Sequence, residues 1–367
     1  MWRGLIVIPI IGRVAAVLSN RGALMRALLL ALALLCWSGA LRAESLNALI
    51  KRCNDAGESH QRVESCTQLL TSKGFDTSDR AHIFNNRGIA YDELKEFDKA
   101  IADYDQAIAL KPDFSWAYHN RGIAHRRRGD IEKAIADHTE ALRLDPDFAE
   151  AFNSRGNAYA KQGQYDLAIA DFVSALKLKP DYPEALSNRA AAYRARGDDD
   201  LAITEYDKIL RRQPNDADAL TNRGVVKFNK GAFREAEADF KQAIDIAPDD
   251  AYRWLYLWLA RARQGNGDKT ILTDFIEDYS GPPEDWTLLL VKSVAGKIEE
   301  RELLAAAEGS SAAATGHRCE ALFYGGEIAL VRGDKKKAKE LFEGAMDTKV
   351  FDFFEYSSAR AELARLP

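Results

Sequence analysis

Cysteine is scarce, with four in 367 residues, and no two stand as Cys-x-x-Cys. That removes the dithiol redox motif and leaves no metal-ligand spacing. A nucleophile elbow and a phosphate-binding loop are also missing. His317 near Cys319 comes closest to a catalytic pair, and it lacks an evident third member. The chain is therefore expected to be no enzyme and to carry neither cofactor nor metal. Long apolar runs are absent too: the run from Ala27 to Trp37 has eleven residues, whereas a bilayer span needs roughly 20. Acidic residues are missing from the first 43 positions, which hold five arginines. Setting those five charges aside takes the remainder, residues 44–367, from the whole-chain value of −5 to −10. So acidic a body argues against general nucleic-acid binding, whose affinity rests on phosphate neutralisation.

Proline is limited to ten residues, and five of them, Pro112, Pro146, Pro180, Pro214 and Pro248, return every 34 positions. The same interval carries Asn86-Arg87-Gly88 into Asn120-Arg121-Gly122, Ser154-Arg155-Gly156, Asn188-Arg189-Ala190 and Asn222-Arg223-Gly224. Twelve residues after each Gly or Ala of that marker stands an alanine: Ala100, Ala134, Ala168, Ala202 and Ala236. A period of 34 with this content is the tetratricopeptide pattern of helix, turn, helix. In the first unit Phe84, Gly88 and Tyr91 share one helical face, and Ala100, Tyr104 and Ala107 share another. Gly88 and Ala100 are expected to let the two helices approach, with the aromatic rings filling the gaps around them. Pro112 ends the unit, because it cannot continue a helix. The expected fold is all-α, a right-handed superhelical solenoid of helix-turn-helix units with a helical C-terminal extension.

Five segments follow: a leader at 1–43, a helical hairpin at 44–80, five repeats at 81–250, a helical linker at 251–318, and a degenerate repeat with a capping helix at 319–367. Met25-Arg26, the apolar run and the small residues Ser38, Gly39, Ala40 and Ala43 compose a secretory signal peptide. The first 24 residues read as a long leader or as the product of a start codon placed too early. A periplasmic location is the consequence. Cys36 raises a lipid anchor as the alternative, and Leu35 before it argues against that. In an oxidising compartment Cys53 and Cys66, on either side of the Asn54-Asp55-Ala56-Gly57 turn, should pair. Closing that loop would contribute about 3 kcal/mol in the chain-entropy model. Cys319 reads as a buried helix residue.

A tetratricopeptide array turns first-helix positions 2, 5, 9, 12 and 13 of each repeat inward. Here those positions hold Trp116, His119, Ile123, Arg126 and Arg127 in repeat two, and Asn153, Asn157 and Lys161 in repeat three. Arg194 follows in repeat four and Phe228 in repeat five. These ten are the candidate residues for a protein or peptide partner, and Trp116 beside Arg126 and Arg127 is the candidate hot spot. A solvated arginine face is the other reading of that patch. The clamp for a carboxy-terminal peptide would need Lys and Asn where Asn85 and Ile89 stand. His125 and His138 occupy the slots of Tyr91 and Tyr104 and are expected as hydrogen-bonded core histidines, not metal ligands.

Beyond Pro248 helices are expected at 252–263, 269–279, 284–294, 299–308 and 353–366, with a loop at 309–316. Leu322, Gly326, Ala329, Ala338, Phe342 and Ala345 repeat the six slots of the first unit. The order of leader, repeats, a Trp254-Leu255-Tyr256-Leu257 helix and Phe323-Tyr324-Gly325-Gly326 resembles the bacterial envelope lipoproteins of the NlpI family, over residues 81–366. That resemblance implies a periplasmic adaptor, often a homodimer, that brings cell-wall hydrolases to a carboxy-terminal processing protease. A self-associating structural protein of the envelope is the alternative.

Overall fold

The computed structural model describes residues 46–55, 57–351 and 353–366. The leader, Cys36 and both cleavage positions lie outside them. Among the described residues every regular element is an α-helix. A hairpin of α1 (residues 46–54) and α2 (Ser59–Thr71) comes first. Five pairs follow: α3 (Thr77–Glu93) with α4 (Phe97–Leu110), α5 (Ser115–Arg128) with α6 (Ile131–Leu144), and α7 (Ala149–Lys161) with α8 (Tyr165–Leu178). Then come α9 (Pro183–Arg196) with α10 (Asp199–Arg212), and α11 (Ala217–Asn229) with α12 (Phe233–Ile246). The remainder comprises α13 (Ala251–Ala262), α14 (Thr270–Asp278), α15 (Trp286–Ala295), α16 (Glu300–Ala306), α17 (Ala312–Val331), α18 (Lys335–Asp347) and α19 (Phe354–Arg365). The chain forms two compact units, which meet inside α5 between Ala124 and His125.

In the first unit a Cys53–Cys66 disulfide joins α1 to α2, with both residues fully buried. Leu69 and Ile83 are buried with it, and Leu46, Leu49 and Phe75 pack around them. The hairpin thus covers the outer side of repeat one. Arg62 of α2 reaches Glu93 at the end of α3 at 2.8 Å. α3 starts a turn earlier than the period requires, because Asp76 and Asp79 form a reciprocal capping box.

The marker residues explain themselves once the helices are paired. A Cβ on Gly88 would stand 2.7 Å from the Tyr104 ring, which lies flat on the glycine. The glycine therefore makes room for the aromatic slot itself, and not for Ala100 as the spacing suggested. In the second unit Gly156 meets Phe172 and Gly224 meets Phe240 in the same way, each at 2.7 Å. The arginine of the marker reaches an acid 16 residues on, across the same contact. Arg87 holds Asp103 with two bonds of 2.7 Å, and Arg155 holds Asp171 with two of 2.8 Å. Arg223 holds Asp239 at 2.9 and 2.7 Å, and Arg189 holds Glu205 at 2.8 Å.

Beyond repeat five, α13 is buried nearly all round. Its Tyr256 stacks on Phe240 at 5.6 Å and meets Phe228 at 5.8 Å on one side and Phe323 at 6.2 Å on the other. Gly326 on α17 lies against Phe342 of α18 as the repeat glycines lie against their rings, with a Cβ distance of 2.5 Å. The loop expected at 309–316 is shorter. Ser311 caps α17 by accepting from the Ala314 amide at 3.1 Å, so the helix begins at Ala312. His317 therefore sits on a helix and stacks on Trp286 at 4.2 Å, while Cys319 is buried within α17. His125 and His138 are both buried, and the His125 ring lies 3.5 Å from Asp130 and 3.8 Å from Asp137.

The turn between the two helices of a repeat is left-handed: Gly163, Gly197 and Gly231 have φ of 73°, 97° and 80°. In repeat one that conformation falls to Lys95, at φ 61°. Lys95→Gly is expected to stabilise the protein by about 1 kcal/mol in denaturant unfolding, because the strain of a side chain there disappears. Asp171→Ala should cost about 3 kcal/mol, since it strands the half-buried Arg155 guanidinium. The double change Arg155→Met, Asp171→Leu should recover most of that loss.

Candidate functional site

The ten inner-face candidates do not form one open lane. In the first unit Trp116 is 48% exposed, while His119 is only 4% exposed and meets the Trp116 ring edge-on at 5.8 Å. Ile123 is half-buried. In the second unit Arg126 is half-buried, and Arg127 and Lys161 are exposed. Asn157 is half-buried as well, but Asn153 is only 7% exposed. The Asn153 amide accepts from Asn188 of the next repeat at 3.0 Å and donates to Tyr182 at 3.4 Å. Its hydrogen bonds are spent on stacking repeat three against repeat four. Asn85 does the same in the first unit, accepting from Asn120 at 2.9 Å.

Arg194 and Phe228 are covered by the chain itself. Both lie at position 12 of a first helix, and both are buried, at 4% and 0% exposure. Arg194 lies under α19, whereas the Phe228 ring packs against Phe233 and Tyr256. Phe351 accepts from the Tyr165 hydroxyl at 3.0 Å beside Gly163 of repeat three. Arg194 of repeat four donates to the Ser357 hydroxyl at 2.7 Å, and its guanidinium lies over the Phe354 ring at 4.4 Å. Arg365 donates to the Asn229 and Phe228 carbonyls at 2.8 and 3.2 Å, closing the exposed end of α11 in repeat five. From sequence the last helix was expected only to cap the degenerate repeat. It also crosses the first-helix ends of repeats four and five, and Phe351 before it reaches repeat three.

Phe354, Ser357 and Arg365 are thus site residues that periodicity missed. The stripe that α19 buries holds Glu355, Ser358 and Glu362 as well as Ala359, so a search for apolar spacing passes over it. Those acids meet others on α17. Tyr324 donates to Glu355 at 3.1 Å, and Glu320 accepts from the Tyr252 hydroxyl at 2.9 Å and from the Trp286 indole. Seven residues on, Arg263 lies between Glu327 and Glu362, at 3.1 and 2.9 Å. Burial, with Glu362 adding to it, raises Glu327 from the usual 4.5 to about 8. Burial, with Glu320 adding to it, does the same to Glu355. Among the described residues no group of three or more His, Cys, Asp or Glu could hold a metal.

These carboxyls set a pH dependence. Between the usual 4.5 and about 8 the folded chain keeps protons on Glu327 and Glu355 that the unfolded chain releases. The unfolded state binds fewer protons in that window, so stability falls as pH rises through it. The melting temperature is expected to drop by roughly 5 °C between about pH 5 and about pH 8.5. Glu327→Gln, which keeps the shape and removes one titration, should flatten part of that slope; a flat wild-type profile would contradict the assignment.

The repeats have known counterparts. Models of the tetratricopeptide repeat match residues 81–114, 217–250, 103–136 and 183–226, and a further TPR-repeat model matches 124–163 and 156–195. No curated protein matches the chain. Among solved structures, a tetratricopeptide repeat protein of Parabacteroides merdae ATCC 43184 superposes with a TM-score of 0.55 at 19% identity, covering 69% of this chain and 99% of its own. The type IV pilus biogenesis factor PilW superposes with a TM-score of 0.52 at 21% identity, covering 57% of this chain and 97% of its own. At such identities the likeness concerns the fold alone. The period, the glycine-on-ring contacts, the repeat models and these superpositions converge: the chain is a tetratricopeptide repeat protein, with its repeats lying within residues 81–250.

Proposed function

We propose that this protein is a non-enzymatic scaffold of the bacterial cell envelope that holds a protein or peptide partner. Tetratricopeptide repeats mediate protein–protein interaction, and the repeat array within residues 81–250 carries the reading. The signal-peptide pattern at 25–43 and the Cys53–Cys66 disulfide support an oxidising, periplasmic setting. The resemblance to the NlpI-type lipoproteins supplies the class of client, a cell-wall hydrolase or the protease that processes it. Trp116, a large aromatic exposed on a first helix, is the contact on which such a client would depend most.

An affinity capture from periplasmic extract with residues 44–367, run beside Trp116→Ala, tests this. A hydrolase or processing protease should be retained by the wild type and reduced tenfold or more by the substitution. Recovery of the protein alone, in a defined oligomer, would overturn the adaptor in favour of self-association.

A further inference from the structure

Where α19 crosses repeats four and five it leaves a cavity of about 410 Å³. Four of the side chains around it are cations: Arg194 from α9, Lys230 from the end of α11, and Arg360 and Arg365 from α19. Among the described residues the only acid on its wall is Asp199, whose carboxyl is pushed up by burial. Two of the cations have outside partners. Lys230 reaches Asp200 at 2.7 Å, and Arg365 pairs with Glu362. The other two do not. Arg360 makes no hydrogen bond or ion pair among the described residues; its guanidinium instead rests 3.4 Å from where a Cβ on Gly197 would stand.

Arg194 is the sharper case. It is 96% buried, no carboxylate of the described residues lies within ion-pair distance, and its Nε has no hydrogen-bond partner. The Asn229 Oδ1, equally enclosed on the same wall, also lacks one. A buried guanidinium without a counter-charge is expensive, because its hydration is lost and nothing replaces it. The Ser357 hydroxyl and the Phe354 ring offset part of that cost, but neither carries charge. Four cations converging from three helices also repel one another, which works against the docking of α19.

We infer that this cavity is a binding site for an oxyanion, a carboxylate or a phosphate group, held by Arg194, Lys230 and Arg360, and that the bound anion fastens α19 to repeats four and five. Guanidinium forks suit either group, since both offer paired oxygens to parallel N–H donors. The anion supplies the missing counter-charge of Arg194 and cancels the repulsion between α19 and the repeats. It differs from a peptide clamp at positions 5 and 9 of the first helix, because one of its three donors, Arg360, comes from the last helix of the chain.

The test titrates the full chain with inorganic phosphate and, separately, with succinate, at constant ionic strength made up with chloride. Melting temperature and hydrogen exchange of the α19 amides are followed. The melting temperature should rise saturably with one or both anions, and exchange in α19 should slow in parallel. Arg360→Gln, at a partly exposed side chain, should weaken the affinity tenfold or more, and Lys177→Gln, at an exposed cation on the second helix of repeat three, should leave it unchanged. A response to phosphate alone assigns a phosphoryl ligand, and a response to succinate alone assigns a carboxylate. No rise above chloride, or an equal rise in wild type and Arg360→Gln, would overturn the site. So would saturable binding with unaltered α19 exchange, because the anion would then not fasten the helix.

Discussion

A pair of repeat helices buries one face against its own partner and leaves another for its neighbour to cover. The structure depends on how that demand is met at the ends of the array. In the first unit the α1–α2 hairpin, closed by Cys53 and Cys66, covers repeat one. In the second, Tyr256 and the rest of α13 cover repeat five, and the demand passes on through α17 and α18. Their glycine-on-ring contact at Gly326 and Phe342 is the repeat contact again. Phe351 then reaches repeat three, and α19 turns back across repeats four and five. The array is thus closed by its own sequence, at the expense of two positions, Arg194 and Phe228, that open tetratricopeptide grooves offer to ligands.

Polar groups fix where α19 lies. An apolar stripe could slide by a turn with little loss, but Arg194 meets Ser357 and Phe354, Arg365 the α11 carbonyls, and Glu362 Arg263 in one register only. Burying charged groups is costly, and burial accordingly raises the Glu327 and Glu355 carboxyls beside them. The gain is that the last helix has a single seat. Glu327 and Glu355 make the seat sensitive to pH, and the proposed anion site makes it sensitive to anions.

Much of the fold was legible in the sequence because it repeats. The glycine, alanine and proline spacings give helix pairs, and the slot alignment from Leu322 to Ala345 places the degenerate pair. The turn residues of four repeats are glycines at the same spacing, so the left-handed Lys95 of repeat one could have been found by comparing repeats. The marker arginine is visible in the sequence, but its acid 16 residues away is not, since pairing across a helical hairpin needs the hairpin's register first. The site was less legible for a different reason. Inner-face positions follow from the repeat template alone, and that template says nothing of what a distant segment lays over them. Asn153 is lost to an inter-repeat bond, Arg194 to a helix more than 150 residues further along the chain, and Phe228 to the rings of Phe233 and Tyr256. α19 gave no warning because the stripe it buries is rich in Glu and Ser.

The central claim is that α19 is seated on the repeat array through Arg194. The most direct measurement is a double-mutant cycle on unfolding free energy with Arg194→Ala, Phe354→Ala and the pair together, at a pH near 6 where the chain is stable. A stacked, desolvated guanidinium on an aromatic face predicts a coupling of about 1–2 kcal/mol between the two sites. Additive losses, with coupling near zero, would mean that α19 does not rest there and that the inner face of repeat four is open.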